Sequence, residues 1–244
     1  DGLLSVEQMA KALNEVMWVY GFSPARNATN AKVAAEFWRD RSMNDMPYKR
    51  GFLFAALADH KLRQASKGKR DLDEVMLAMK RAVDAVPRAD APPVRTLFVK
   101  AMKEAGVDIQ ESIDRLIEKG DTIALPSDVW APCGTVSTSE IAEFDRGFDG
   151  MRTIANGNVV TGVDSDGPAH AAGLRDGMRL LKLDLSEGGD ARAPLSYRVQ
   201  AGSETREISY LPAGKLRHSV QELKLRPLDS AARTACAARL GGTD

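Results

Sequence analysis

Apolar residues recur at helical spacing through the first half of the chain. In "LLSVEQMAKALNEVMWVYG", Met9, Leu13, Val16 and Met17 fall on one face, Ser5 is placed to cap the start and Gly21 stops it. "NATNAKVAAEFWRD" repeats the pattern with Val33, Phe37 and Trp38. A long helix is predicted from Pro47 to Gly68, with proline suited to its first turn and glycine to its C-cap. "RDLDEVMLAMKRAVDAV" opens on an acidic turn at Asp71 and Glu74 and stops at Pro87. "APPVRTLFVKAMKEAG" and "DIQESIDRLIEKG" predict two further helices, each ending at a glycine. Alternation of period two is nearly absent before residue 120.

The texture changes after "GDTIALPSDVWAPCG". "NGNVVTGVD", "LSYRVQAG" and "TREISYLPAG" read as short strands, the last two joined tightly through "AGSE". "GPAHAAGLRDGMRLLKLD" predicts a short helix followed by a strand. "LDSAARTACAARLGGTD" is an Ala/Arg-rich tail, helical or frayed. The expected organisation is α+β: a helical domain over 1–130, a small β-rich domain over 135–228 and a tail over 229–244.

Composition narrows the function classes. Lys+Arg and Asp+Glu balance at 34 each, so no global field favours nucleic acid or an anionic membrane. The basic run "KLRQASKGKR" lacks the interleaved aromatics of a single-strand binder and reads as a solvated helix end. No window is apolar enough for a membrane-spanning helix. The opening "DGLLSVEQ" has neither an initiator Met nor a leader pattern, and reads as a mature form or an excised piece of a longer protein. Cys133 and Cys236 are too far apart for a CxxC motif, which leaves two free thiols or one disulfide. A bridge would close a loop of roughly 100 residues, worth up to about 4–5 kcal/mol in the chain-entropy model.

Gly167-Pro168-Ala169, Ala172-Gly173-Leu174, Gly177-Met178 and Leu180-Leu181 fall in an order that resembles a PDZ domain of bacterial type, over about residues 140–215. Met178 stands where that family usually has aspartate. The resemblance implies a groove that takes an extended peptide as an added strand, with a C-terminal carboxylate held near Arg146, Gly147 and Phe148, unless the groove is blocked.

"MPYKRGFLFAALADHKLRQASKGKRDLDEVMLAMKRA" is similar to the C-terminal half of the catalytic domain in the glycyl-aminopeptidase family of zinc metallopeptidases. The matching positions are Tyr48 and Gly51 of a Tyr-x-x-Gly step, Asp59 and Arg63, Gly68, and Asp71-Leu72-Asp73-Glu74-Val75. "EKGDTIALPSDVWAPCG" resembles the segment leading to that family's PDZ domain, so the likeness runs through 1–215 in one domain order. It implies the helical C-terminal part of a gluzincin domain, a zinc peptidase with an HExxH helix, followed by the PDZ-like domain. It further implies hydrolysis of peptides with small N-terminal residues such as Gly or Ala, and an exported, periplasmic or secreted bacterial protein, a setting that permits disulfides.

Taken alone, a tyrosine ahead of a helix packs as a staple or at a core rim. The resemblance gives Tyr48 a catalytic part instead: a phenol with an ordinary pKa of about 10 donates to an oxyanion without ionising. HExxH is absent. His60 reads as a surface or rim residue, His170 lies in the short helix of the PDZ-like domain and His218 precedes the tail, none at metal-ligand spacing. The zinc ligands are therefore expected upstream of this sequence, and the chain alone is expected to be inactive. The expected partners are peptide substrates and, at the PDZ-like domain, peptide C-termini. The rival expectation is a non-enzymatic peptide-binding adaptor or a degenerate peptidase.

Overall fold

The computed structural model describes residues 4–181 and 189–241. It is mixed α and β, and divides into two compact units: residues 1–138 with 220–244, and residues 139–219. The sequence placed its lines at 130, 135 and 228. In the structure residues 220–244 belong instead with the helical unit.

In the first unit, α1 (Val6–Phe22) starts at a capping box in which Ser5 and Gln8 satisfy each other's backbone N–H. Its buried face is Val6, Ala10, Leu13, Met17 and Tyr20. The Tyr20 hydroxyl, sunk in the core, accepts from Ile123 N at 2.9 Å. α2 (Asn30–Glu36) stops two residues before Trp38, which is 89% exposed rather than part of an apolar stripe. Only Val33 of that helix is buried.

α3 (Arg41–Ser66) begins well ahead of Pro47. Asp40 caps it, its Oδ1 accepting from Ser42 N at 2.7 Å and Met43 N at 3.3 Å. Buried Met43 and Met46 hold the first turns down, so Pro47 is an interior proline and not an N1 residue. Its missing N–H costs one backbone bond, and the helix continues through it. The C-cap is Lys67, with φ 54°, one residue before the expected Gly68.

α4 (Leu72–Asp84), capped by Asp71, packs against α5 (Val94–Glu104). α6 (Gln110–Ser112) runs on as π-type turns over Ile113–Glu118. The tail forms α9 (Ser230–Leu240), which rests on α1 and buries Cys236, Ala237 and Leu240 in the helical core. Cys133 and Cys236 are joined by a disulfide with both residues fully buried. Asn14 brackets Leu223 with two hydrogen bonds, and Gln221 does the same to Leu125.

The chain leaves and re-enters this unit along β1 (Gly134–Phe144) and β5 (Ala213–Leu225), which pair with each other. At Gly134 an added Cβ would lie 2.1 Å from Lys224 O, so only glycine fits there.

The second unit holds α7 (Gly150–Ala155), α8 (Pro168–Ala171) and an antiparallel sheet ordered β2 (Arg179–Leu180), β3 (Leu195–Ala201), β4 (Glu204–Tyr210). Leu195, Tyr197 and Val199 point inward on β3 while Ser196, Arg198 and Gln200 face out. The two-residue loop between Ala201 and Glu204 has Gly202 at φ 62° in its first place, the geometry that suits strand twist. Of the strand expected after Gly177, Lys182, Leu183 and Asp184 lie outside the described residues. The local core is Phe148, Val160, Leu174, Leu180, Tyr197 and Ile208 with their neighbours.

Candidate functional site

α3 carries both features of interest in the helical unit. Near its N-terminal end Tyr48 projects outward, 68% exposed, and its hydroxyl has no partner among the described residues. The expected position at the helix entrance is not what the structure has: Tyr48 lies inside α3, next to Pro47. Arg50, two residues on, points the opposite way and is 3% exposed. Its guanidinium donates to the carbonyls of Ala28 at 2.7 Å, Arg26 at 3.0 Å, and Ala25 and Ile117 at 3.4 Å. Burial lowers its pKa, with the nearby Tyr20 phenol working the other way. The four carbonyls fix the azimuth of α3 at the turn that presents Tyr48.

Further along the same helix is a charged cluster. Asp59 is buried, and its Oδ2 accepts from Arg63 Nε at 2.9 Å and Arg239 Nη1 at 2.5 Å. Its Oδ1 accepts from Leu72 N at 2.9 Å. Burial works against the ionised carboxylate, but the bonds from Arg63 and Leu72 and the Arg239 charge outweigh it, so its pKa falls below the ordinary value. Burial also lowers Arg239, against the pull of Asp59. The two shifts oppose each other for the pair. A guanidinium is far too basic for that loss to discharge it at neutral pH, so the ion pair stands. Arg239 also donates to Val129 O at 2.7 Å, which ties α9 to the segment before Cys133.

Two cavities flank this cluster within the helical unit. The larger, about 620 Å³, is lined by His60, Arg63, Lys67, Asp71, Asp128 and Arg239 among others. The second, about 300 Å³, has Phe52, Trp130 and Leu240 in its wall beside the same ion pair. Tyr48 lines neither. His60, read from sequence as a surface or rim residue, is 6% exposed and lines the larger cavity together with Asp128 and Val129. Its Nε2 lies 3.4 Å from Asp128 Oδ1, close enough for an ion pair if the ring is protonated but without hydrogen-bond alignment.

In the second unit Arg146 donates to the Tyr197 hydroxyl at 2.9 Å and sits 5.1 Å from the Phe144 ring. Gly147 has φ 73°, and a Cβ there would meet the Ala169 side chain at 2.8 Å. Its N–H donates to Asp145 Oδ1 at 2.8 Å, so that donor is already engaged. Phe148 is buried, edge-on to Tyr197 at 5.6 Å. The Tyr210 hydroxyl donates to Arg146 O at 2.6 Å, and its burial pushes the phenol well above its ordinary pKa, helped by Tyr197.

His170 is half-buried in α8, and His218 lies within β5, ahead of the tail. Among the described residues no group of three or more His, Cys, Asp or Glu is placed to hold a metal ion.

Neither a protein-family model nor a curated protein sequence matches the chain. Among solved structures, the crystal structure of an aminopeptidase N family protein from Idiomarina loihiensis is similar at 15% identity and a TM-score of 0.45, over 89% of this chain and 43% of that one. The chain thus spans less than half the length of that protein. A likeness at that score is too loose to assign a fold or an activity.

Proposed function

We propose that this chain is the C-terminal portion of a zinc-dependent aminopeptidase of the glycyl-aminopeptidase kind, acting on peptides with small N-terminal residues, with a PDZ-like domain over the second unit. In this reading the protein is exported and bacterial. A zinc ion, held by an HExxH segment outside this sequence, would supply Lewis-acid polarisation of the scissile carbonyl. The motif order from Tyr48 through Val75 supports the family. The observation that carries the role of Tyr48 is its phenol, 68% exposed and unpartnered among the described residues, on a helix locked by Arg50. A donor aimed by a rigid element loses little entropy when it meets a developing oxyanion. Peptide C-termini would occupy the second unit near Arg146, Gly147 and Phe148.

The test uses the parent protein with zinc bound, hydrolysing glycyl and alanyl anilides. Chelator-sensitive turnover that falls about 10²-fold or more in Tyr48→Phe supports the role. Turnover unchanged by the substitution makes Tyr48 a surface residue. No turnover in either protein favours the rival reading, a peptide-binding adaptor without catalysis.

A further inference from the structure

The larger cavity of the helical unit is separate from the Tyr48 face, and the proposed hydrolysis leaves it without a role. Its volume of about 620 Å³ lies in the range of small-molecule sites. We infer that it binds a small oxyanion, a carboxylate or a phosphate, between the last turn of α3 and α9.

The donors are already arranged. Arg63 and Arg239 are oriented by Asp59, one through Nε and the other through Nη1. Arg63 Nη2 also reaches Asp71 and Arg239 Nη2 reaches Val129 O, which among the described residues leaves Arg63 Nη1 and Arg239 Nε without a partner. Lys67 stands at the end of α3 with its ammonium unpaired among the described residues, and His60 adds a buried Nε2 that makes no hydrogen bond. A buried polar nitrogen without a bond is costly to leave so, and in the tautomer with the proton on Nε2 a ligand oxygen would relieve it. The C-terminal carbonyls of α3 would repel an anion, but those of Arg63 and Gln64 are taken by the N–H groups of Gly68 and Lys67. Asp71 is engaged with Arg63 and with Glu74 N. Asp128 is the one lining carboxylate left largely open, its side chain 61% exposed beside His60. It opposes an anion and sets a limit on affinity.

That arrangement fixes the sign of two surface substitutions. Lys67→Asn keeps the left-handed cap, which asparagine tolerates, and removes a cation. Asp128→Asn removes the opposing charge. The experiment titrates the 244-residue chain, at low ionic strength, with inorganic phosphate and separately with succinate, followed by calorimetry or ligand-observed NMR. Saturation at one anion per chain is expected, weakened about threefold to fivefold by Lys67→Asn and tightened by a similar factor in Asp128→Asn. Lys100→Gln, at an exposed α5 position that does not line the cavity, should change nothing. Saturation by phosphate alone, or by succinate alone, identifies which oxyanion the cavity takes. No saturation by either anion overturns the inference. So does an equal loss in Lys67→Asn and Lys100→Gln, or an Asp128→Asn chain that fails to bind more tightly. Because the readout needs neither zinc nor peptide, its failure is distinct from failure of the proposed hydrolysis.

Discussion

Three donors converge on the Asp59 carboxylate, from Arg63 one turn away, Leu72 on the next helix and Arg239 at the far end of the chain. Asp59→Ala leaves Arg239 buried and uncompensated, and is expected to cost about 3–5 kcal/mol. Arg239→Ala leaves Asp59 two of its donors and should cost less, about 1.5–3 kcal/mol. Urea denaturation of both single variants and the double variant checks this; costs that simply add would mean the pair is not coupled. The pH dependence follows from the sign of the shift. Asp59 has a folded pKa below its unfolded value of 3.8, so its contribution is complete above that value and fades as pH falls through the lower folded one. Asp59→Asn should therefore flatten the acid limb of stability below about pH 4 while leaving its shape unchanged from pH 6 to 8. Asp59 and Arg63 were visible in the sequence as neighbours on one helix face. Arg239 was not, because nothing local to an Ala/Arg-rich tail says which helix it will reach. His60 was misread for a related reason: its burial is made by residues far along the chain.

At the scale of single elements, α3 shows where local signals mislead. Pro47 is a good first-turn residue, and the sequence places a helix start there. The structure starts the helix at Arg41, since Asp40 caps it and Met43 and Met46 supply a buried face that outweighs one lost backbone bond. Pro47 is exposed and its ring meets no requirement of the core. Pro47→Ala is thus expected to stabilise the helical unit by about 1–3 kcal/mol, through the restored bond to the Met43 carbonyl and relief of the ring clash. Slower hydrogen exchange over the first turns of α3 would accompany the higher thermal midpoint. An unchanged or lower midpoint would mean that a bend at Pro47 is needed for packing. The strands of the second unit were easier to read. β3 and β4 alternate cleanly and their turn carries glycine at the place that needs a positive φ, so period and turn chemistry agree.

For the molecule as a whole, the decisive feature is that the chain returns to its first unit. The break in texture near residues 125–140 marks where the chain leaves the helical unit, but no periodicity marks where it comes back. That return is written in pairings: Asn14 with Leu223, Gln221 with Leu125, and Cys133 with Cys236, which are 103 residues apart. The second unit, residues 139–219, lies wholly inside the loop this disulfide closes. Two outcomes follow from that topology. Cys133→Ser with Cys236→Ser should lower the stability of the helical unit by up to about 4–5 kcal/mol, and proteolysis should then cut first near α9, releasing Arg239 from Asp59. The stronger test is deletion. Thr138 and Val220 lie on β1 and β5, strands that pair with each other, so an Asn-Gly turn can replace residues 139–219 and close them as a hairpin. The helical core would keep Leu223, Cys236 and Leu240 in place, because none of their neighbours in that core belongs to the deleted segment. The shortened chain is expected to unfold in one cooperative transition, with the disulfide still formed and the charged cavity intact. A molten or aggregated product would show that the helical unit depends on the inserted one for its stability, and that the two cannot be treated as separate folding units.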